Sequence, residues 1–208
     1  MMFIFTPKLI VRALLAVPFL FFALLTNANT AVSIPDVDSL LQQPEEVSIY
    51  GYEFVASTML EVTSIGILDD GSDGLSSPHT VGIWDSQGEF VFQLIVPIGG
   101  GSLSNGFRYI DIEPLDLAAD TKYVIGVYYF GGNLDQMAVA SSSSEYQLDP
   151  AITIFGGRSR IGSLGVPLTE SDDIYFGANF QFSAVPLPGA VWLMISALGL
   201  LGISKRRR

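Results

Sequence analysis

Between Ser48 and Phe182 the apolar residues come in short runs that Gly, Asp, Asn and Pro interrupt every few positions, and no window there holds a helical period. That pattern restricts the fold more than any other feature of the chain. β-prone runs at regular spacing with turn residues between them predict antiparallel strands that close into a sandwich. The expected strands are 48–55, 60–68, 80–84, 90–96, 107–112, 122–130, 137–140, 152–155 and 174–182. Several alternate with period two. Tyr50, Tyr52 and Phe54 fall on one face, and Ile49, Gly51, Glu53 and Val55 on the other. The run Lys122–Phe130 is almost wholly apolar or aromatic, so it is expected at the centre of a sheet. In the stretch Leu115–Tyr123, an apolar pair lies beneath a turn and the chain then enters a strand through Tyr123. The expected fold is all-β: an antiparallel β-sandwich, jelly-roll-like, over residues 48–184.

The two ends are of another kind. Lys8 and Arg12 precede the apolar run Ala13–Leu25, and Thr26-Asn27-Ala28 follows with small residues. A positive start, an apolar core and a small-residue exit predict a secretory signal peptide over 1–28. Residues 29–47 are polar and contain Pro35 and Pro44 with four acids, so they are expected to be a linker with one helical turn near Ser39–Leu41. At the other end, Val185-Pro186-Leu187-Pro188 breaks the preceding fold, an uncharged apolar run covers Gly189–Ile203, and Lys205-Arg206-Arg207-Arg208 ends the chain. Prolines cannot donate backbone hydrogen bonds, and they hold an extended, accessible segment. The apolar run favours lipid as a helix, while the four cations resist crossing and keep the end cytoplasmic.

That tail, over 185–208, resembles the sorting signal of the PEP-CTERM family of exported Gram-negative proteins. The pattern is a Pro-containing motif, then a short hydrophobic helix, then an Arg-rich end. Leu187 stands where the commonest motif has Glu, as in a VPLP variant. The resemblance implies export through the Sec translocon, transient residence in the inner membrane and recognition by exosortase at Val185–Pro188. The alternative is a plain tail anchor, but the apolar run falls short of the ~20 residues of a comfortable span. The middle resembles an uncharacterised exported bacterial β-sandwich domain. The residues that carry the likeness are Gly66-Ile67-Leu68-Asp69-Asp70-Gly71 and His79-Thr80-Val81-Gly82-Ile83-Trp84. That resemblance implies a fold and no activity.

All 21 acids lie between Asp36 and Asp173, against four cations there (Arg108, Lys122, Arg158, Arg160), so this part carries a net charge of 4 − 21 = −17. Such a field repels nucleic acid and anionic headgroups, and no nucleic-acid partner is expected. Cysteine is absent, which excludes disulfides and thiol nucleophiles.

Asp69-Asp70-Gly71-Ser72-Asp73-Gly74 is the best candidate for chemistry. Asp69, Asp70 and Asp73, with two glycines for the turn, are a candidate calcium loop, although the twelfth-position Glu of an EF-hand is missing. A solvated turn uses the same residues. His79 is the sole histidine. A triad would require Asp69 or Asp85 to orient it and a hydroxyl from Ser141–Ser144, yet nothing forms a nucleophile elbow, and a structural role is the stronger expectation. Acid pairs for glycoside hydrolysis can be drawn from Asp69, Asp70, Asp111, Glu113, Asp172 and Asp173, with no spacing that singles one out. Trp84, Tyr109, Tyr128, Tyr129, Phe130 and Tyr175 suit sugar stacking only where they face solvent. Gly99-Gly100-Gly101-Ser102 lacks the Lys and helix of a phosphate loop.

The expected function is therefore that of a non-enzymatic surface or extracellular-matrix protein, sorted through its tail and structural or adhesive in role, in contact with exopolysaccharide. The alternatives are a secreted hydrolase of matrix polysaccharide and an uncut, tail-anchored envelope protein.

Overall fold

The computed structural model describes residues 28–44, 47–130 and 135–184. The expectations for the body of the signal peptide, Val185–Pro188, the apolar run and Lys205–Arg208 lie outside those residues. Sixteen strands follow one another: β1 (Asn29–Thr30), β2 (Val32–Ser33), β3 (Leu41–Gln42), β4 (Ser48–Ala56), β5 (Leu60–Leu68), β6 (His79–Asp85), β7 (Phe90–Val96), β8 (Ser102–Ser104), β9 (Phe107–Leu117), β10 (Lys122–Tyr129), β11 (Met137–Ala140), β12 (Gln147–Leu148), β13 (Ile152–Ile161), β14 (Thr169–Ser171), β15 (Ile174–Phe176) and β16 (Ala178–Ala184). Two short 3-10 turns, Val37–Leu40 and Asp70–Ser72, are the helical elements described.

The strands form an antiparallel sandwich. One sheet has the order β14-β13-β4-β10-β6-β7 and the other β1-β16-β5-β9-β8, with smaller sheets β15-β11-β3 and β12-β2 at the margins. Neighbours far apart in sequence, such as β4 beside β13 and β5 beside β16, show the chain wrapping from sheet to sheet. Tyr52 and Phe54 of β4 and Ile125 and Val127 of β10 face Ile65, Ile67, Phe180 and Phe182 of the opposing sheet. The Phe54 and Phe180 rings meet across the layer at 5.1 Å. Each of these side chains is fully buried and contributes about 1.5–3 kcal/mol by leaving water.

The outward face of the larger sheet is also covered. Ile49, Trp84 and Val124 form a second buried cluster there, capped by Val166 from the β13–β14 connection and by Tyr128. This explains why β10 reads as apolar on both faces: it lies between β4 and β6 with a layer on each side. Gly82 belongs to the same arrangement. The Trp84 ring lies back along its own strand, and a Cβ on Gly82 would stand 2.6 Å from it. The Gly-Ile-Trp sequence is thus a packing unit.

The expected strands form with longer ends at β9 and β13, except that the single strand expected over 174–182 divides at Gly177 into β15 and β16, which belong to different sheets. The segment expected as a linker behaves differently, because β1, β2 and β3 add to the sheet margins. Buried Asn179 holds it in place. Its carboxamide accepts from Val32 N–H (3.2 Å) and donates to the Val32 carbonyl (2.7 Å). Short polar strands pinned by a side chain carry no period that sequence reasoning detects. Tyr123 closes the β9–β10 turn by accepting a hydrogen bond from Ala118 N–H at 3.1 Å.

Candidate functional site

One extra residue in β13 creates the most polar feature of the larger sheet. Ile154 pairs with Phe54 and faces the core, and Gly156 pairs with the next residue of β4, Glu53, so Phe155 is inserted as a bulge. A one-residue insertion turns every later side chain to the other face. Arg158 and Arg160 consequently point outward, opposite Gly51 and Ile49, where a regular strand would have driven them into the core.

Arg158 then joins an alternating row of charges across four strands. Glu170 of β14 accepts from Arg158 at 2.7 Å, Arg158 also donates to Glu53 of β4, and Lys122 of β10 donates to Glu53 at 2.8 Å. Glu53 is buried, and burial alone would raise its pKa. The hydrogen bonds and charges of Lys122 and Arg158 win and hold its carboxyl below the usual range. Burial likewise opposes the charge of Arg158, which Glu170 and Glu53 overcome, so its pKa is raised.

This row floors a cleft of about 410 Å³, with Phe155, Glu170 and Asp172 on its walls. Phe155 is 59% exposed, and the Lys122 ammonium lies 5.1 Å from its ring centroid. A hollow of about 190 Å³ continues past Phe155 and Asp172 to Ser141, Ser142 and Tyr146. Another of about 260 Å³ continues past Glu53 and Arg158 to Gln87 and Val166. Sharing these residues, the three hollows border one another as a trough on the outer face of the sheet, with the exposed Phe155 ring between the first two and Val124, Val166 and Leu168 adding apolar walls to the third.

The residues singled out in the sequence mostly lie elsewhere. Asp69 is buried, accepting from Gly74 N–H at 3.0 Å and pairing with Arg108 at 2.6 Å. Asp70 accepts from Gln136 N–H, and burial raises its pKa. Asp73 is exposed. Among the described residues no three His, Asp or Glu side chains gather to hold a metal ion, so the structure does not bring Asp69, Asp70 and Asp73 together as ligands.

His79 is fully buried. Its Nε2 meets Asp135 at 2.7 Å and its Nδ1 faces the Tyr128 carbonyl at 3.3 Å, so both ring nitrogens are engaged. Burial would raise the Asp135 pKa, but His79 and the N–H and hydroxyl of Ser76 donate to it and lower it. Asp85 instead caps the β6–β7 turn through Gln87 and Glu89 N–H, and Ser141 donates to Asp173. This is a structural knot that ties the β5–β6 loop to the segment before β11. Sequence reading missed Asp135 because it is one isolated acid 56 residues away from its partner, with no motif around it.

Of the six aromatics considered for sugar stacking, Trp84, Tyr109 and Tyr129 are buried, and Phe130 is 46% exposed at the end of β10. The aromatic beside the polar cleft is Phe155, which the sequence presents as an ordinary strand residue. Only the bulge distinguishes it. No family model matches the chain, and no curated protein matches it.

Proposed function

We propose that this is an exported, non-catalytic matrix protein. Its tail is sorted by exosortase at Val185–Pro188, and its sandwich contacts exopolysaccharide through the Phe155 trough. The observation that carries the polysaccharide contact is an exposed aromatic ring set beside a polar cleft on a β-sheet. Sugar rings stack on aromatic faces while their hydroxyls find polar partners, and a preformed groove limits the ordering cost of binding. The topology adds support for the trafficking reading. Asn29 pairs with Phe182, so the residues next to the expected signal-peptide exit and those next to the sorting motif share one sheet edge. Both processing segments would then leave the domain at one end.

The test is fractionation of the producing cells, comparing the natural chain with Phe155→Ala. The expected result is that both forms are exported and lack Gly189–Arg208, with the natural form retained in the matrix and the variant released to the medium. A natural chain that runs intact to Arg208 in the membrane fraction contradicts the sorting reading. Equal matrix retention of both forms contradicts the role of the trough. Turnover of matrix polysaccharide by the purified protein contradicts the non-catalytic assignment.

A further inference from the structure

We infer that the Phe155 trough recognises an amino sugar with a free ammonium group, so that its polymer is a cationic, deacetylated polysaccharide. The inference rests on the polysaccharide reading above and names its ligand class.

The charges already committed to one another decide the matter. Both cations of the cleft are engaged, Lys122 by Glu53 and Arg158 by Glu53 and Glu170. Glu53 is buried beneath them and offers a ligand nothing. Lys122 is 55% exposed but its ammonium is shared between Glu53 and the Phe155 ring, so the charged group of the cleft left without a partner is acidic. Asp172 is exposed, lines both the cleft and the adjoining hollow, and has no hydrogen-bond or ion-pair partner among the described residues. The Glu170 side chain is 80% exposed and is tied to Arg158 through Oε1.

An ammonium group seated at Asp172 gains an ion pair, while the exposed Phe155 ring, over which Lys122 already lies, offers its apolar surface to the sugar ring. In the adjoining hollow Ser141 Oγ, which donates to Asp173, keeps lone pairs that can accept from a ring hydroxyl of the next sugar. The wider field acts in the same direction, because a domain of net charge 4 − 21 = −17 attracts a polycation and repels a polyuronate. An N-acetyl group on the same sugar removes the charge and leaves Asp172 facing a neutral amide.

Calorimetric titration of the mature protein tests this with three probes of equal length: a glucosamine oligomer, an N-acetylglucosamine oligomer and an oligouronate, at a pH that keeps the amine charged. The expected result is binding of the glucosamine oligomer by about tenfold or more over the acetylated one, with no uptake of the uronate. Asp172→Asn and Phe155→Ala should each remove that preference. Glu113→Gln, which deletes an exposed acid on β9 of the other sheet, should leave it in place. Asp172 is exposed, so melting of its variant should match the natural protein and exclude misfolding. Equal binding of all three probes, or a preference for the uronate, overturns the inference and leaves polysaccharide contact standing. An equal loss in Glu113→Gln and Asp172→Asn reduces the effect to the overall field and overturns the site. Absence of binding to every probe and to the cells' own matrix polysaccharide overturns the polysaccharide reading itself.

Discussion

The row Glu170–Arg158–Glu53–Lys122 invites a quantitative test, because its two central ion pairs share one carboxylate but differ in burial. The Glu53 side chain is 10% exposed, Arg158 15% and Lys122 55%. An exposed pair is worth about 0.2–1 kcal/mol, whereas removing one partner of a fully buried pair costs about 3–5 kcal/mol. The Glu53–Arg158 pair lies between these limits, since Arg158 keeps Glu170 and some solvent, and about 2 kcal/mol of coupling is expected. The Glu53–Lys122 pair should couple by about 0.5 kcal/mol. Two double-mutant cycles separate them, combining Glu53→Gln with Arg158→Gln in one and with Lys122→Met in the other. For a domain of this size, 2 kcal/mol is about 4–8 °C in melting temperature, well within the reach of thermal denaturation. Equal coupling in the two cycles, or less than about 0.5 kcal/mol for Glu53–Arg158, would refute the claim that the bulge-directed Arg158 is the main partner of the buried acid.

Acid should weaken the same network. Glu53 and Asp135 both have lowered native pKa values, so their contribution is complete above the ordinary carboxylate range near ~4 and is lost as the pH falls through their native values. The melting difference between the natural protein and Glu53→Gln should therefore shrink below about pH 4, and a pH-independent difference contradicts the assignment. Gly82→Ala should cost about 1–3 kcal/mol by forcing the Trp84 ring off its strand, with a change in near-ultraviolet dichroism; an unchanged melt and spectrum contradicts that packing. Asn179→Ala should cost about 2–4 kcal/mol and speed amide exchange at Val32, since the segment after β1 loses its side-chain clasp; unchanged Val32 protection argues against the clasp. Millimolar calcium or a chelator should leave the melting temperature unchanged, because Asp69 is held by Arg108 and Gly74; a rise of several degrees with calcium restores the metal loop.

How far the sequence disclosed this molecule depends on the kind of information involved. Strands such as Leu60–Leu68 and Phe90–Val96 were legible because short β-prone apolar runs and flanking turn residues are local signals. The central place of β10 was legible because only a strand covered on both faces tolerates Val124, Ile125 and Val127 together. The edge pieces β1, β2 and β3 were not, since they are two residues long and held by distant partners such as Asn179. The site was the least legible part. Its orientation depends on a single inserted residue at Phe155, and a β-bulge alters which face Arg158 occupies without altering composition. The acids that stood out, Asp69 and Asp70, prove to be partners of Arg108 and of the Gln136 amide. Asp172 stood among six candidate acids, and only the cleft's geometry separates it from the rest.

The measurement that tests the account most directly is affinity electrophoresis of the mature protein through gels cast with polysaccharide from its own cells. The natural chain, Phe155→Ala and Ile161→Ala should be run side by side, the last removing a still more exposed apolar side chain at the other end of β13. The account predicts strong retardation of the natural protein and of Ile161→Ala, with Phe155→Ala running as it does in an empty gel. Retardation of Phe155→Ala equal to that of the natural protein would contradict it.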